Sequence, residues 1–128
     1  HLILSGGDSK AVTWLAQALP DMQVGHDPCH FGVREALAAS GDDLGFVSRA
    51  LCGAGRAVLL YLDIRLILDA LGRDFDMIAA FHAEGRRIDA YTVQRITPET
   101  VALCQRLVEL GVDQITTDDP EELFAASL

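Results

Sequence analysis

The sequence predicts a parallel α/β fold of about five βα units, and three observations carry that expectation. Short apolar runs with β-branched members alternate with segments whose apolar residues recur at helical spacing. One run, Ala57–Leu62, is apolar almost without a break, the pattern of a strand covered on both faces, as parallel strands are. The stretch from Arg86 to Leu123 reads strand, helix, strand, helix, with capping and stop residues in order between them.

Taken in order, Leu2 to Leu4 form a first strand that ends at Ser5-Gly6-Gly7. Asp8 or Ser9 then caps a helix whose Val12, Leu15, Ala16 and Leu19 share a face, and Pro20 closes it. Met22 to Gly25 make a short second strand, which runs into the loop His26-Asp27-Pro28-Cys29-His30. Helical stretches are expected from Gly32 to Ala39 and from Leu44 to Leu51, parted by Gly41-Asp42-Asp43 and stopped by Gly53 to Gly55. The third strand, Ala57 to Leu62, is followed by Ile64 to Leu71, a run that fits both periods. Asp74 or Asp76 begins a helix with Ile78, Phe81 and His82 on one side, so His82 reads as a buried packing residue; Gly85 ends it.

Ile88, Ala90 and Val93 mark a fourth strand. Thr97 caps the next helix with Pro98 in its first position, where a fixed φ and a missing N–H do no harm. Val101, Cys104, Leu107 and Val108 form the face laid on the sheet, with Cys104 a core thiol, and Gly111 ends the helix. A fifth strand spans Asp113 to Thr116. Asp118 then either faces the C-terminal end of the strands or caps a closing helix entered through Pro120, with Glu121 and Glu122 in its first turn, where negative charge is favoured.

Composition narrows the classes. At 128 residues and 50% hydrophobic content the chain fits one ordered unit, 1–128, either a domain or a fragment of one. Nineteen acidic residues against ten basic give a net charge of −9, which excludes the basic footprint of a nucleic-acid binder. No apolar run approaches the roughly 18 residues a membrane span needs, and the first residues read as a strand rather than a signal peptide. Cys29, Cys52 and Cys104 are widely spaced and odd in number, which fits reduced, mostly buried thiols and a cytoplasmic setting. The chain opens on strand residues with no lead-in, so a fragment of a longer protein is expected.

Five βα units build either an open doubly wound sheet or part of a (β/α)8 barrel, and a whole barrel takes about 250 residues, so this would be roughly half of one. In a barrel the working residues lie at the C-terminal ends of the strands. Ser5, Tyr61, Asp63, Tyr91 and Thr92 fall there, as do His26 and Asp27 in the loop after the second strand. That loop holds four donors, His26, Asp27, Cys29 and His30, readable as a metal cluster, a substrate mouth or a plain polar loop. Gly6-Gly7 ahead of a helix is a weak phosphate-cradle signal.

The string HAEGRRIDAYTVQ (His82 to Gln94), followed by ITPETVALCQRLVELGVDQITTDDPEEL (Ile96 to Leu123), resembles the C-terminal signature of the glycerophosphodiester phosphodiesterases, in which HAxG, W/YTVN and GVDxIxTDxP close a TIM barrel. The matching residues are His82, Ala83, Gly85, Tyr91, Thr92, Val93, Gly111, Val112, Asp113, Ile115, Thr117, Asp118 and Pro120. LILSGGD at Leu2 to Asp8 is similar to the strand ending in Ser-Phe that opens the family's second half, and LLYLDIRLILD at Leu59 to Asp69 to the strand before the HAxG helix. The resemblance selects the barrel and makes the chain its C-terminal part. Gln94 stands where the family has Asn, and Gly6 where it has an aromatic residue.

The resemblance implies a phosphoric diester hydrolase that cleaves glycerophosphodiesters to an alcohol and glycerol phosphate with a divalent metal, Mg or Ca. A phosphodiester's negative charge repels a nucleophile, and a hard cation on oxygen ligands offsets it. The family carries its two catalytic histidines and its metal-binding carboxylates in an HRG segment, an ExD pair, a second His-Asp and a further Glu. None of these is matched here: the family's His-Asp precedes the strand that Ser5 ends, whereas His26-Asp27 follows it. The segment is therefore expected to hold no catalytic residue and no metal, and to be inactive alone. Tyr91 takes the place of an aromatic residue beside the substrate, with Ser5, Asp63, Tyr61, Thr92, His26 and Asp27 as further candidates for a small-molecule phosphodiester. Uncovered sheet edges would favour pairing with the missing N-terminal part or an oligomer. The alternatives are a catalytically inactive barrel-derived domain that binds a ligand or assembles with a partner, and a small doubly wound binding domain.

Overall fold

The computed structural model describes residues 2–128. Its elements are β1 (Ile3–Gly6), α1 (Ser9–Ala18), β2 (Gln23–His26), α2 (Val33–Ser40), α3 (Asp43–Ala54), β3 (Leu59–Asp63), α4 (Ile64–Gly72), α5 (Met77–Ala83), β4 (Arg87–Val93), α6 (Pro98–Glu109), β5 (Gln114–Thr117) and α7 (Pro120–Ser127). All four strand pairings are parallel, and the sheet order β1-β2-β3-β4-β5 follows the chain. A doubly wound sheet reverses its strand order at a switch point; this one never does. Crossovers of one hand then lay every helix on one face, and the sheet curls as part of a (β/α)8 barrel.

The two faces differ chemically. Val24, Leu60, Leu62, Ile88, Ala90 and Val93 pack with Val12, Val47, Ile67, Phe81 and Leu107 from the helices in one core. The alternate strand positions point the other way. A side chain on Gly25 would meet Tyr61, Ser5 and Ile3, and Asp89 is hydrogen-bonded by Gln114 and Thr116 of β5. The concave side is thus mostly polar, with Leu59 buried near the strand starts.

Local chemistry explains most boundaries. Asp8 caps α1 by accepting from the N–H groups of Lys10 and Ala11 at 2.8 and 3.1 Å. The ambiguous run after β3 is helix, because Asp63 accepts from Arg65 N at 2.8 Å and Ile64, Ile67 and Ala70 then fall on the buried side. Asp76, rather than Asp74, caps α5 through Ala79 N at 2.9 Å. Thr97 and Thr100 form a reciprocal capping box ahead of α6.

Four expectations are corrected. Asp119, not Asp118, caps α7, since its carboxylate reaches Glu122 N at 3.0 Å. His82 is no buried packing residue: it sits late in α5 and donates from Nε2 to Asp113 Oδ2 at 2.8 Å. Val108 lies beside Leu107 on the exposed flank of α6, where only Cys104 and Leu107, one turn apart, are buried. Cys52 is exposed on α3, while Cys29 is half-buried and Cys104 buried.

Candidate functional site

At the C-terminal ends of the strands Ser5, Asp27, Tyr61, Tyr91, Thr92 and Thr116 surround a cavity of about 350 Å³, floored by Gly6 and Gly7. Five of the seven residues expected at the mouth meet there. Asp63 does not line it: where β3 turns into α4 it lines a neighbouring cavity that shares Tyr91 and Thr92 with the mouth. His26 does not join them: as the last residue of β2 it projects to the helix side of the sheet, into a separate cavity.

Asp27 organises the mouth. Its N–H donates to Gly6 O at 3.0 Å, and its carboxylate accepts from Cys29 N at 2.8 Å, so the loop after β2 is pinned at both ends of this residue. Tyr91, at the end of β4, donates its hydroxyl to both Asp27 oxygens at 3.2 Å. Burial pushes the Tyr91 phenol well above its ordinary range, with the neighbouring Cys29, Asp27 and Asp63 adding to the shift, so it stays a hydrogen-bond donor. The Tyr91–Thr92 peptide is cis. Thr92 is exposed and donates to Thr116 O at 3.4 Å.

Cys29 packs beneath this pair, its thiol pushed up to about 12 chiefly by burial. Asp63 N donates to its sulfur at 3.5 Å. Asp63 itself is committed to Arg65, accepting from the guanidinium at 2.6 to 3.2 Å; burial works against its charge, but the Arg65 hydrogen bonds hold its carboxyl below the usual range.

Sequence reasoning missed three groups on the concave face. Thr116 completes the mouth, and Asp89 with Gln114 forms the layer below. The Asp89 carboxylate accepts from Gln114 Nε2 at 2.6 Å and from Thr116 Oγ1 at 3.0 Å, with no cation paired to it among the described residues. Burial raises its pKa, and the Thr116 and Gln114 hydrogen bonds only partly offset this. A register signal was available: Asp89 pairs across with Gln114, and alternation brings Thr116 to the same face.

The four donors of the His26–His30 loop do not converge. His26 faces one side of the sheet and Asp27 the other, and among the described residues no three His, Cys, Asp or Glu side chains are placed to hold a metal. The carboxylates at the mouth and beside it are instead engaged by Tyr91 and Arg65. What this wall offers is a carboxylate flanked by hydroxyls, which suits the alternating donors and acceptors of a polyol better than the charge of a phosphate.

The fold has solved counterparts. A glycerophosphodiester phosphodiesterase from Parabacteroides distasonis matches 91% of this chain at 18% identity and a TM-score of 0.59. A phosphodiesterase from Oleispira antarctica, solved in complex with the product sn-glycerol-3-phosphate, matches 98% at 16% identity and a TM-score of 0.60. The chain spans about two fifths of each, 39% and 41% respectively, so it has the fold of part of their barrel. No protein-family model matches the sequence, and no curated protein aligns with it significantly. Among the described residues no helix is long and apolar enough to cross a membrane.

Proposed function

We propose that the chain is the C-terminal, substrate-side part of a glycerophosphodiester phosphodiesterase-like hydrolase. The observation that carries this reading is the meeting of Asp27 and Tyr91 at the barrel mouth in a fold shared, over nearly the whole chain, with two phosphodiesterases. Tyr91 belongs to the YTVQ string on which the sequence resemblance also rests. In this role Asp27 and the Tyr91, Ser5 and Thr92 hydroxyls hold the glyceryl hydroxyls of the substrate, and Asp63 with Arg65 borders the entry.

The reaction of the whole protein would be metal-dependent cleavage to an alcohol and glycerol phosphate in the cytoplasm. Its Mg or Ca site and its acid/base histidines would lie outside this segment, since the sequence carries neither the HRG segment nor the ExD pair in which the family resemblance places them. The open edges of β1 and β5 are where the rest of the barrel would pair. The test is release of glycerol phosphate from glycerophosphodiesters by the full-length protein, with and without chelator. Metal-dependent release that falls at least tenfold in kcat/KM in Asp27→Ala supports the reading; no release with any divalent metal overturns it in favour of an inactive barrel-derived binding domain.

A further inference from the structure

On the opposite side of the sheet, between the start of α1, α2 and α3, lies a cavity of about 580 Å³ that takes no part in the mouth. We propose that this cavity is a binding site for a small neutral amphipathic alcohol, whose hydroxyl is held by His26 and Ser9 and whose apolar body lies against α2 and α3. The inference does not depend on the phosphodiesterase reading, since His26 faces away from the mouth.

Three observations build the site. His26 is 4% exposed, and its Nδ1 donates to the Gly6 carbonyl at 3.2 Å; a carbonyl can only accept, so the neutral ring turns the lone pair of Nε2 outward. Nε2 has no partner among the described residues, yet it is not sealed from the surface, so it opens to the cavity it lines. The second polar atom, Ser9 Oγ, converges with it: a Cβ on Gly53 would stand 3.3 Å from Ser9 Oγ and 3.4 Å from His26 Nε2. A ligand hydroxyl at this corner donates to Nε2 and accepts from Ser9.

The third observation is the apolar part of the wall, Val33, Leu37, Phe46 and Ala50, beside which Ser40 and the exposed His30 also line the cavity. The ion pair that lines it, Arg49 with Asp42 at 3.5 Å, is exposed and neutralises itself, so that pair does not select a charged ligand. Gly53 fits the same picture. It lies inside α3, where alanine would be the better helix former, and its missing side chain is what leaves the polar corner open.

The experiment titrates the full-length protein with benzyl alcohol and with benzyl methyl ether, which keeps the ring but has no donor. Binding is followed by the side-chain nitrogen shifts of His26. Benzyl alcohol is expected to saturate these shifts and to bind about tenfold tighter than the ether, the worth of one hydrogen bond. Gly53→Ala, which favours the helix and fills the corner, is expected to abolish the preference; Ser9→Ala, at an exposed position, is expected to weaken alcohol binding severalfold. Equal affinity for the two probes, an unchanged preference in both variants, or no saturable binding, as when ordered water alone fills the corner, would each overturn the proposal.

Discussion

The contact between Tyr91 and Asp27 can be isolated by a double-mutant cycle of Tyr91→Phe, Asp27→Ala and the pair. A hydrogen bond to a charged group contributes about 1.5–3 kcal/mol, and the O–H···O⁻ geometry that earns the upper figure is short, near 2.6 Å. Here the phenol is shared between both carboxylate oxygens at 3.2 Å, so the coupling should fall at the low end, about 1.5 kcal/mol. Tyr91→Phe removes only the hydroxyl, and Asp27 keeps its bond from Cys29 N, which limits repacking. Urea denaturation of the four proteins gives the coupling free energy. A value under about 0.5 kcal/mol, within ordinary additivity, would mean that the two groups are neighbours without being partners, and the wall built on them would fail. The same cycle in the full-length protein separates stability from function: on the proposed hydrolase reading, Tyr91→Phe should raise KM for a glycerophosphodiester more than it lowers kcat.

Other perturbations test the rest of the architecture. Asp89→Asn keeps an acceptor for Gln114 and gains a donor for Thr116, and it removes a carboxylate whose pKa burial raises. A raised folded-state pKa contributes stability that is complete below the unfolded value of about 3.9 and is lost as pH rises through the folded one. The variant should therefore be the more stable at neutral pH, and its advantage should shrink on acidification toward pH 4; an advantage that grows in acid would refute the burial argument. Asp43→Ala strips the forked bonds of 2.9 and 2.6 Å from Arg73, and because the Arg73 side chain keeps 26% exposure the loss should be about 2–3 kcal/mol rather than the fully buried maximum, with a denaturation loss under 1 kcal/mol contradicting it. With iodoacetamide at pH 8, Cys52, exposed on α3, should alkylate in the folded protein, whereas Cys29, with its thiol at about 12, is about one part in ten thousand thiolate and should react only on unfolding. Mass spectrometry of the labelled protein decides between them.

How much of this was legible follows from the range of the forces involved. Caps and stops are local, so Thr97 with Pro98, Gly85 and Gly111 could be read directly, and both glycines do adopt positive φ, 72° and 91°. The choice between Asp118 and Asp119 could not, because it turns on a single Asx geometry at the end of β5. Ile64 to Leu71 was ambiguous because its apolar residues satisfy two periods, and only the Asp63 cap decides. The direction of His26 was the costliest gap. Adjacent residues of a strand face opposite ways, so a one-residue shift in the end of β2 decides whether His26 or Asp27 reaches the mouth. Asp89 was missed for a related reason: its partners Gln114 and Thr116 come from β5, so only the pairing of the two strands gives the carboxylate a role.

The strings that carry the resemblance also divide by what they do. His82 of the HAEG string and Asp113 of GVD are far apart in sequence but meet at 2.8 Å, and the same Asp113 oxygen accepts from Ile88 N at 2.8 Å, where β4 begins. Burial opposes the Asp113 charge, yet these hydrogen bonds hold its carboxyl below the usual range. The two strings are therefore one clamp, which joins the end of α5 to the starts of β4 and β5. That is the N-terminal end of the strands, the end that stabilises a barrel rather than the one that performs chemistry. Only Tyr91 and Thr92 of the YTVQ string, at the opposite end, look into the mouth. A chain can thus keep most of this signature for the sake of its fold, and the catalytic question rests on the groups that face Tyr91 across the barrel. Replacing His82 by Gln, which can still donate to Asp113, should accordingly leave turnover of the full-length protein unchanged, while His82→Ala should lower Tm. A selective loss of kcat in His82→Gln without loss of Tm would place chemistry at this end of the barrel and break the division.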